Sequence, residues 1–109
     1  MPSVKVASLA GAGVEVVNRV ESDSSRPSLH PEADGVEIRY IIVAKADDPV
    51  PADPEDYPKV VVSRKAKTLI KAGVANVGSR MIGFCRWINS SENAKSSGWS
   101  QRFSVLITD

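Results

Sequence analysis

The chain has 109 residues, 42% of them hydrophobic, and fourteen basic against thirteen acidic side chains leave a net charge of +1. That length fits one domain with a core of its own and excludes a core plus a separate catalytic domain. The near-neutral balance excludes a global field that would gather nucleic acid or an anionic membrane, and the lone Cys85 excludes an internal disulfide framework.

Residues 1–109 are therefore read as a single unit, whole or a piece of a larger protein. A lone cysteine suits a reducing compartment. The N-terminal "MPSVKVASLAGAGVEVV" is interrupted by Glu15 and lacks the Leu and Phe density of a secretion signal. The longest apolar runs, such as "YIIVA", are far too short to span a membrane. A soluble chain is expected, with its location in the cell left open.

In chain order, the apolar residues recur with a period of two and are rich in Val and Ile, which suit a pleated, half-buried surface. "VKVASL" (4–9) alternates Val4 and Val6 with Lys5. "GVEVVNRV" (13–20) alternates Val14 and Val16 with Glu15, then breaks phase at Val17, where a bulge is expected. "GVEIRYIIVAK" (35–45) sets Val36, Ile38, Tyr40 and Ile42 against Glu37 and Arg39 and reads as the central strand. "PKVVVSRK" (58–65) and "KTLIKAG" (67–73) are shorter and basic, as edge strands guarded by lysines are. "RMIGFCRWIN" (80–89) and "WSQRFSVLITD" (99–109) close the set as a hairpin, and no segment carries the period of a substantial helix.

The segments between are rich in Ser, Asp, Pro and Gly, whose backbone preferences suit turns. Seven strands so spaced predict an all-β fold, an immunoglobulin-like antiparallel sandwich of two sheets.

Three stretches carry a resemblance: "SRPSLHPEADGVEIRY", the Pro and Asp loop "PADPEDYP", and the pair "GFCRWIN" and "GWSQRFSVLI". With them, residues 13–108 resemble the fibronectin type III-like module that ends a group of bacterial proteins of unassigned function. There the module commonly follows a helical region, for which no counterpart is expected within these 109 residues. The position where fibronectin-type domains carry a corner tyrosine falls at Met81 or Gly83, which implies a locally different corner. The resemblance implies a fold, and a fold of this kind hosts many unrelated activities.

Candidate chemistry is sparse. His30 lies between prolines in a loop, and Cys85 sits mid-strand in phase with Met81 and Trp87, where a cysteine acts as a small apolar residue. One Cys and one His cannot assemble a zinc site from the usual ligands, and no acid, base and nucleophile set is present, so no enzyme and no cofactor are expected. The loop 46–57 gathers Asp47, Asp48, Asp53, Glu55 and Asp56, a composition that suits a hard cation. Its spacing is not that of an EF-hand, and a solvated connection is the simpler account. Tyr57 is expected to fold back over the edge of the sheet.

Arg64, Lys65, Lys67 and Lys71 could contact phosphates, but no aromatic side chains are interleaved as stacking platforms. Asn89 opens an "NSS" sequon, relevant only along a eukaryotic secretory route.

Alternation through 80–89 sends Met81, Gly83, Cys85 and Trp87 one way and Ile82, Phe84, Arg86 and Ile88 the other. Trp87 is assigned to the core, as sandwich domains of this kind bury a strand aromatic there. In the last strand, strict alternation groups Trp99 with Gln101, Phe103, Val105 and Ile107. "WSQRFS" is also distantly similar to the tryptophan and serine box of cytokine-receptor modules, in which arginines stack on aromatic rings. That similarity implies Arg86 stacked on Trp99 outside the sheet.

The expected function is that of a non-catalytic binding or scaffolding module acting through protein–protein contacts or self-association. Its contact residues would be Ile82, Phe84, Arg86, Ile88 and Trp99. Two alternatives use the loops 46–57 and 90–98 for ligand recognition, or the basic edge strands for weak nucleic-acid binding.

Overall fold

A computed structural model describes residues 2–19, 33–45, 47–89 and 97–109. His30 and most of the loop 90–98 lie outside the described residues. Among the described residues seven strands form: β1 Ser3–Leu9, β2 Gly13–Arg19, β3 Gly35–Val43, β4 Lys59–Ser63, β5 Lys67–Lys71, β6 Arg80–Ile88 and β7 Phe103–Leu106. Two single turns of 3-10 helix, Pro54–Asp56 and Val74–Asn76, interrupt the loops. Among the described residues no helix is long and apolar enough to cross a membrane.

The strands pair antiparallel into a three-stranded sheet ordered β1-β2-β5 and a four-stranded sheet ordered β4-β3-β6-β7. The two sheets bury their facing sides against each other as a β-sandwich. β3 and β6, the most apolar segments, lie at the centre of their sheet, and the basic β4 and β5 lie at edges. On the opposite side of the sandwich, β1 packs against β7.

Alternation decides the core. Val14 and Val16 of β2 meet Val36 and Ile38 of β3, and Met81, Cys85 and Trp87 of β6, all fully or almost fully buried. Gly83 occupies the inward position between Met81 and Cys85. A Cβ there would stand 2.8 Å from Phe103 Cζ and closer still to the Arg39 carbonyl, so the Phe103 ring occupies the space that the glycine leaves.

The bulge expected at Val17 is absent, because pairing runs unbroken from Ser3↔Arg19 to Leu9↔Gly13. The inward position goes to Asn18, which keeps the alternation although it breaks the apolar pattern. Its backbone N–H donates to the Ala66 carbonyl at 2.8 Å and its side-chain Nδ2 to the same oxygen at 3.4 Å. The last strand is also shorter than the expected 99–109, since regular pairing with β6 starts only at Gly83↔Phe103.

Candidate interaction face

The face of the four-stranded sheet turned away from the core carries Glu37, Arg39, Ile41 and Val43 from β3 and Ile82, Phe84, Arg86 and Ile88 from β6. Cross-strand register sets Glu37 against Arg86, Arg39 against Phe84 and Ile41 against Ile82. On the other flank of β3, Glu37 lies against Val62 and Arg39 against Val60 of β4.

Two halves with different chemistry result. At the Val43 end, the loop between β3 and β4 folds back and lays Tyr57 over Ile82 and Val43, with Val50, Ile41 and Phe84 packed around them. The Tyr57 ring meets Phe84 edge to face at 5.5 Å between centroids, and its hydroxyl donates to the Pro51 carbonyl at 2.7 Å. Ile82 is therefore only 4% exposed and is not available as a contact. The open apolar patch expected from the sequence is closed at Ile82 by the chain's own loop, and Phe84 is half-buried beneath it. Burial pushes the Tyr57 phenol above its ordinary value, with the charge of Arg102 opposing part of the rise.

At the Gly35 end the face is polar, and two guanidinium groups share one carboxylate, leaving one net positive charge. The Glu37 carboxylate accepts from Arg39 Nε at 2.6 Å and from Arg86 Nε at 2.8 Å, with Arg86 Nη2 2.7 Å away. A buried charge persists only when partnered, and here one carboxylate is held by two guanidinium groups. Burial alone would raise the carboxyl, but the hydrogen bonds and charges of Arg39 and Arg86 outweigh it and hold Glu37 below its ordinary value. Arg39 Nη1 also donates to the Glu55 carbonyl at 3.1 Å, which ties the loop to the sheet.

Trp99 completes this half. Arg86 Cζ stands 4.7 Å from its ring centroid and Arg39 Cζ 6.0 Å, the first being the stack expected from the sequence. Strict alternation would have turned Trp99 inward with Phe103 and Val105, and two serines prevent this. Ser97 N–H donates to the Trp87 carbonyl while its hydroxyl accepts from Trp87 N–H at 2.9 Å. Ser100 N–H donates to the Cys85 carbonyl at 2.7 Å while its hydroxyl accepts from Cys85 N–H at 3.0 Å. From Trp87 to Cys85 and from Cys85 to Gly83 the β6 chain advances two residues, whereas the facing chain advances three each time. Each step thus holds one extra residue, as a bulge does. The nearer one reverses the phase, so that Ser100 is buried and Trp99 lies outside.

Glu37, Arg39, Val60 and Val62 belong to this face and were not among the residues expected to form it. The signal for the first two was present, since charges at alternate positions of the most apolar strand require partners on a neighbouring strand. Val60 and Val62 are 49% and 62% exposed, so the strip they form beside the Glu37 cluster is the open part of the face.

Cys85 is fully buried, and burial pushes its thiol up to about 12, with an opposing hydrogen bond from Asn18. In the acidic loop, Asp48 Oδ2 accepts from Lys45 N–H at 2.9 Å and Asp53 Oδ1 caps the 3-10 turn through Glu55 N–H at 3.0 Å. Among the described residues no three acidic, His or Cys side chains converge on a point that could hold a metal. Within the basic stretch, Lys67 faces Glu15 at 3.6 Å and Arg64 faces Asp34 at 4.0 Å, so two of its four cations already have acidic neighbours. Set against models of protein families and against curated proteins, the chain matches none.

Proposed function

We propose that this chain is a fibronectin type III-like binding or scaffolding module without catalytic activity, acting through protein–protein contacts on the outer face of its four-stranded sheet. The contact strip runs through Val60, Val62, Arg86, Ile88 and Trp99. The observation that carries the reading is the asymmetry of that face. One half is sealed by the chain's own Tyr57, whereas the other leaves two exposed valines beside a half-buried arginine and tryptophan stack. Trp and Arg are the side chains that most often anchor protein contacts, and exposed apolar area beside them adds the desolvation on which binding draws.

The fibronectin-type part of the reading draws on strand partition. The fourth strand pairs with the third, whereas constant immunoglobulin domains place it in the sheet of the first two. The non-catalytic part draws on Cys85, whose protonated, enclosed thiol is no nucleophile.

Selection of binders from a random peptide library against the folded chain tests the reading. Binders are expected to lose at least tenfold in affinity for Val62→Lys and for Trp99→Ala, and to keep it for Leu69→Lys on the other sheet. Equal affinity for all of these variants would refute the assignment of the strip.

A further inference from the structure

Among the described residues the two sheets have four edge strands: β1 and β7, which lie against each other, and β4 and β5. An edge strand presents unpaired backbone donors and acceptors and is commonly guarded by charge. β5 is guarded at both ends: antiparallel pairing with a second copy of itself, centred on Leu69, would set Lys67 against Lys71 twice. β4 carries a single charge of its own, Lys59, which self-pairing centred on Val61 sets against Ser63. Its centre is Val60-Val61-Val62; beyond Lys59, Tyr57 and Pro58 lie the acidic Glu55 and Asp56, and beyond Ser63 the basic Arg64 and Lys65.

We infer that β4 is the site at which a second copy of this chain docks, edge to edge and antiparallel about a two-fold axis. Centred on Val61, this pairing sets Val60 of each copy against Val62 of the other and Lys59 against Ser63. It also brings the exposed Glu55 and Asp56 of each copy to the end of the other that carries the exposed Arg64 and Lys65. Parallel pairing would instead set acid on acid and base on base, so the charge pattern selects one orientation as well as one partner. Every interaction occurs twice, as a closed two-fold contact requires. The product is a continuous eight-stranded sheet in which the exposed Val60 and Val62 of both copies line one joined outer face.

This rests on the reading of the outer strip as a protein contact, but it fails separately. Sedimentation equilibrium from about 1 µM to 1 mM chain should show a reversible rise from monomer to dimer mass, weakened by added salt because the end charges are exposed. Two exchanged chains make the test specific: Glu55→Lys with Asp56→Lys, and Arg64→Glu with Lys65→Glu. Each is expected to stay monomeric alone, with an unchanged far-ultraviolet circular dichroism spectrum, whereas an equimolar mixture forms a one-to-one heterodimer. A wild-type chain that is monomeric throughout overturns the inference, as does a dimer that both exchanged chains retain. Either result leaves the peptide-binding strip standing if the library binders still lose affinity for Val62→Lys.

Discussion

At the Val43 end of the outer face, Ile82 is covered by Tyr57, an aromatic side chain delivered by a loop. At the Gly35 end of the same two strands, Glu37 is covered by Arg39 and Arg86, with Trp99 stacked above. The first half gains from removing apolar area from water, which needs no partner of defined charge. The second gains little net free energy from its ion pairs, because desolvation offsets much of the attraction, but it fails badly if one partner is removed. Two neighbouring regions of one sheet thus differ in what breaks them: loss of bulk at one end, loss of the shared carboxylate at the other.

The largest expected effect comes from emptying the apolar half. Tyr57→Ala removes a buried aromatic ring and its hydroxyl hydrogen bond, and should cost about 3 kcal/mol in denaturant unfolding. Next is Glu37→Ala, which leaves two guanidinium groups facing each other. Since these are 25% and 23% exposed and partly hydrated, about 2 kcal/mol is expected, below the range for a fully buried pair. A loss under about 0.5 kcal/mol would show that the cluster is not a stabilising unit.

The halves should also separate by pH. Glu37 is held below its ordinary value, so its contribution is present above the unfolded carboxyl value and is lost as pH falls through the lower folded one. Tyr57 is raised above its ordinary value, so its contribution is present below the unfolded phenol value and is lost as pH climbs past it. Chemical unfolding across the pH range should therefore show an acid loss that Glu37→Gln reduces and an alkaline loss, shared with the raised thiol of Cys85, that Tyr57→Phe reduces. Were both variants to keep both losses undiminished, the assignment of the two ends would be wrong.

Smaller effects sharpen the contrast. Tyr57→Phe at neutral pH loses only the bond to Pro51 and should cost about 1 kcal/mol. Arg86→Ala removes a half-exposed stack worth about 0.5–1 kcal/mol together with part of the Glu37 pairing, and should shift Trp99 emission. Unchanged emission and unchanged stability together would remove the stack as a feature of the protein in solution.

Much of the fold is legible in the sequence because period-two alternation is local. Val36 and Ile38 on one side of β3, with Glu37 and Arg39 on the other, need no knowledge of their neighbours. In β6 the pattern only groups Trp87 with Met81 and Cys85, since both faces are apolar there; the resemblance to sandwich domains that bury a strand aromatic is what implies that this face lines the core. The pattern misleads at Val17, where the apolar residue faces outward and Asn18 takes the buried position with its hydrogen bonds to Ala66. Nothing in the neighbouring residues distinguishes an inward asparagine from a bulge, since that depends on a carbonyl 48 residues away.

For the candidate face, the sequence by itself determined which residues of β6 share a side, while the resemblances implied that this side faces outward and that Arg86 stacks on Trp99. The tertiary structure decided the rest. Trp99 lies outside because the hydroxyls of Ser97 and Ser100 take up the backbone N–H groups of Trp87 and Cys85, allowing an extra residue at each step. Ile82 is closed because the loop before β4 returns across the sheet, a contact between residues 25 apart in the chain. Strand phase follows from neighbours two residues away, whereas coverage follows from chain closure over tens of residues, and only folding brings those partners together.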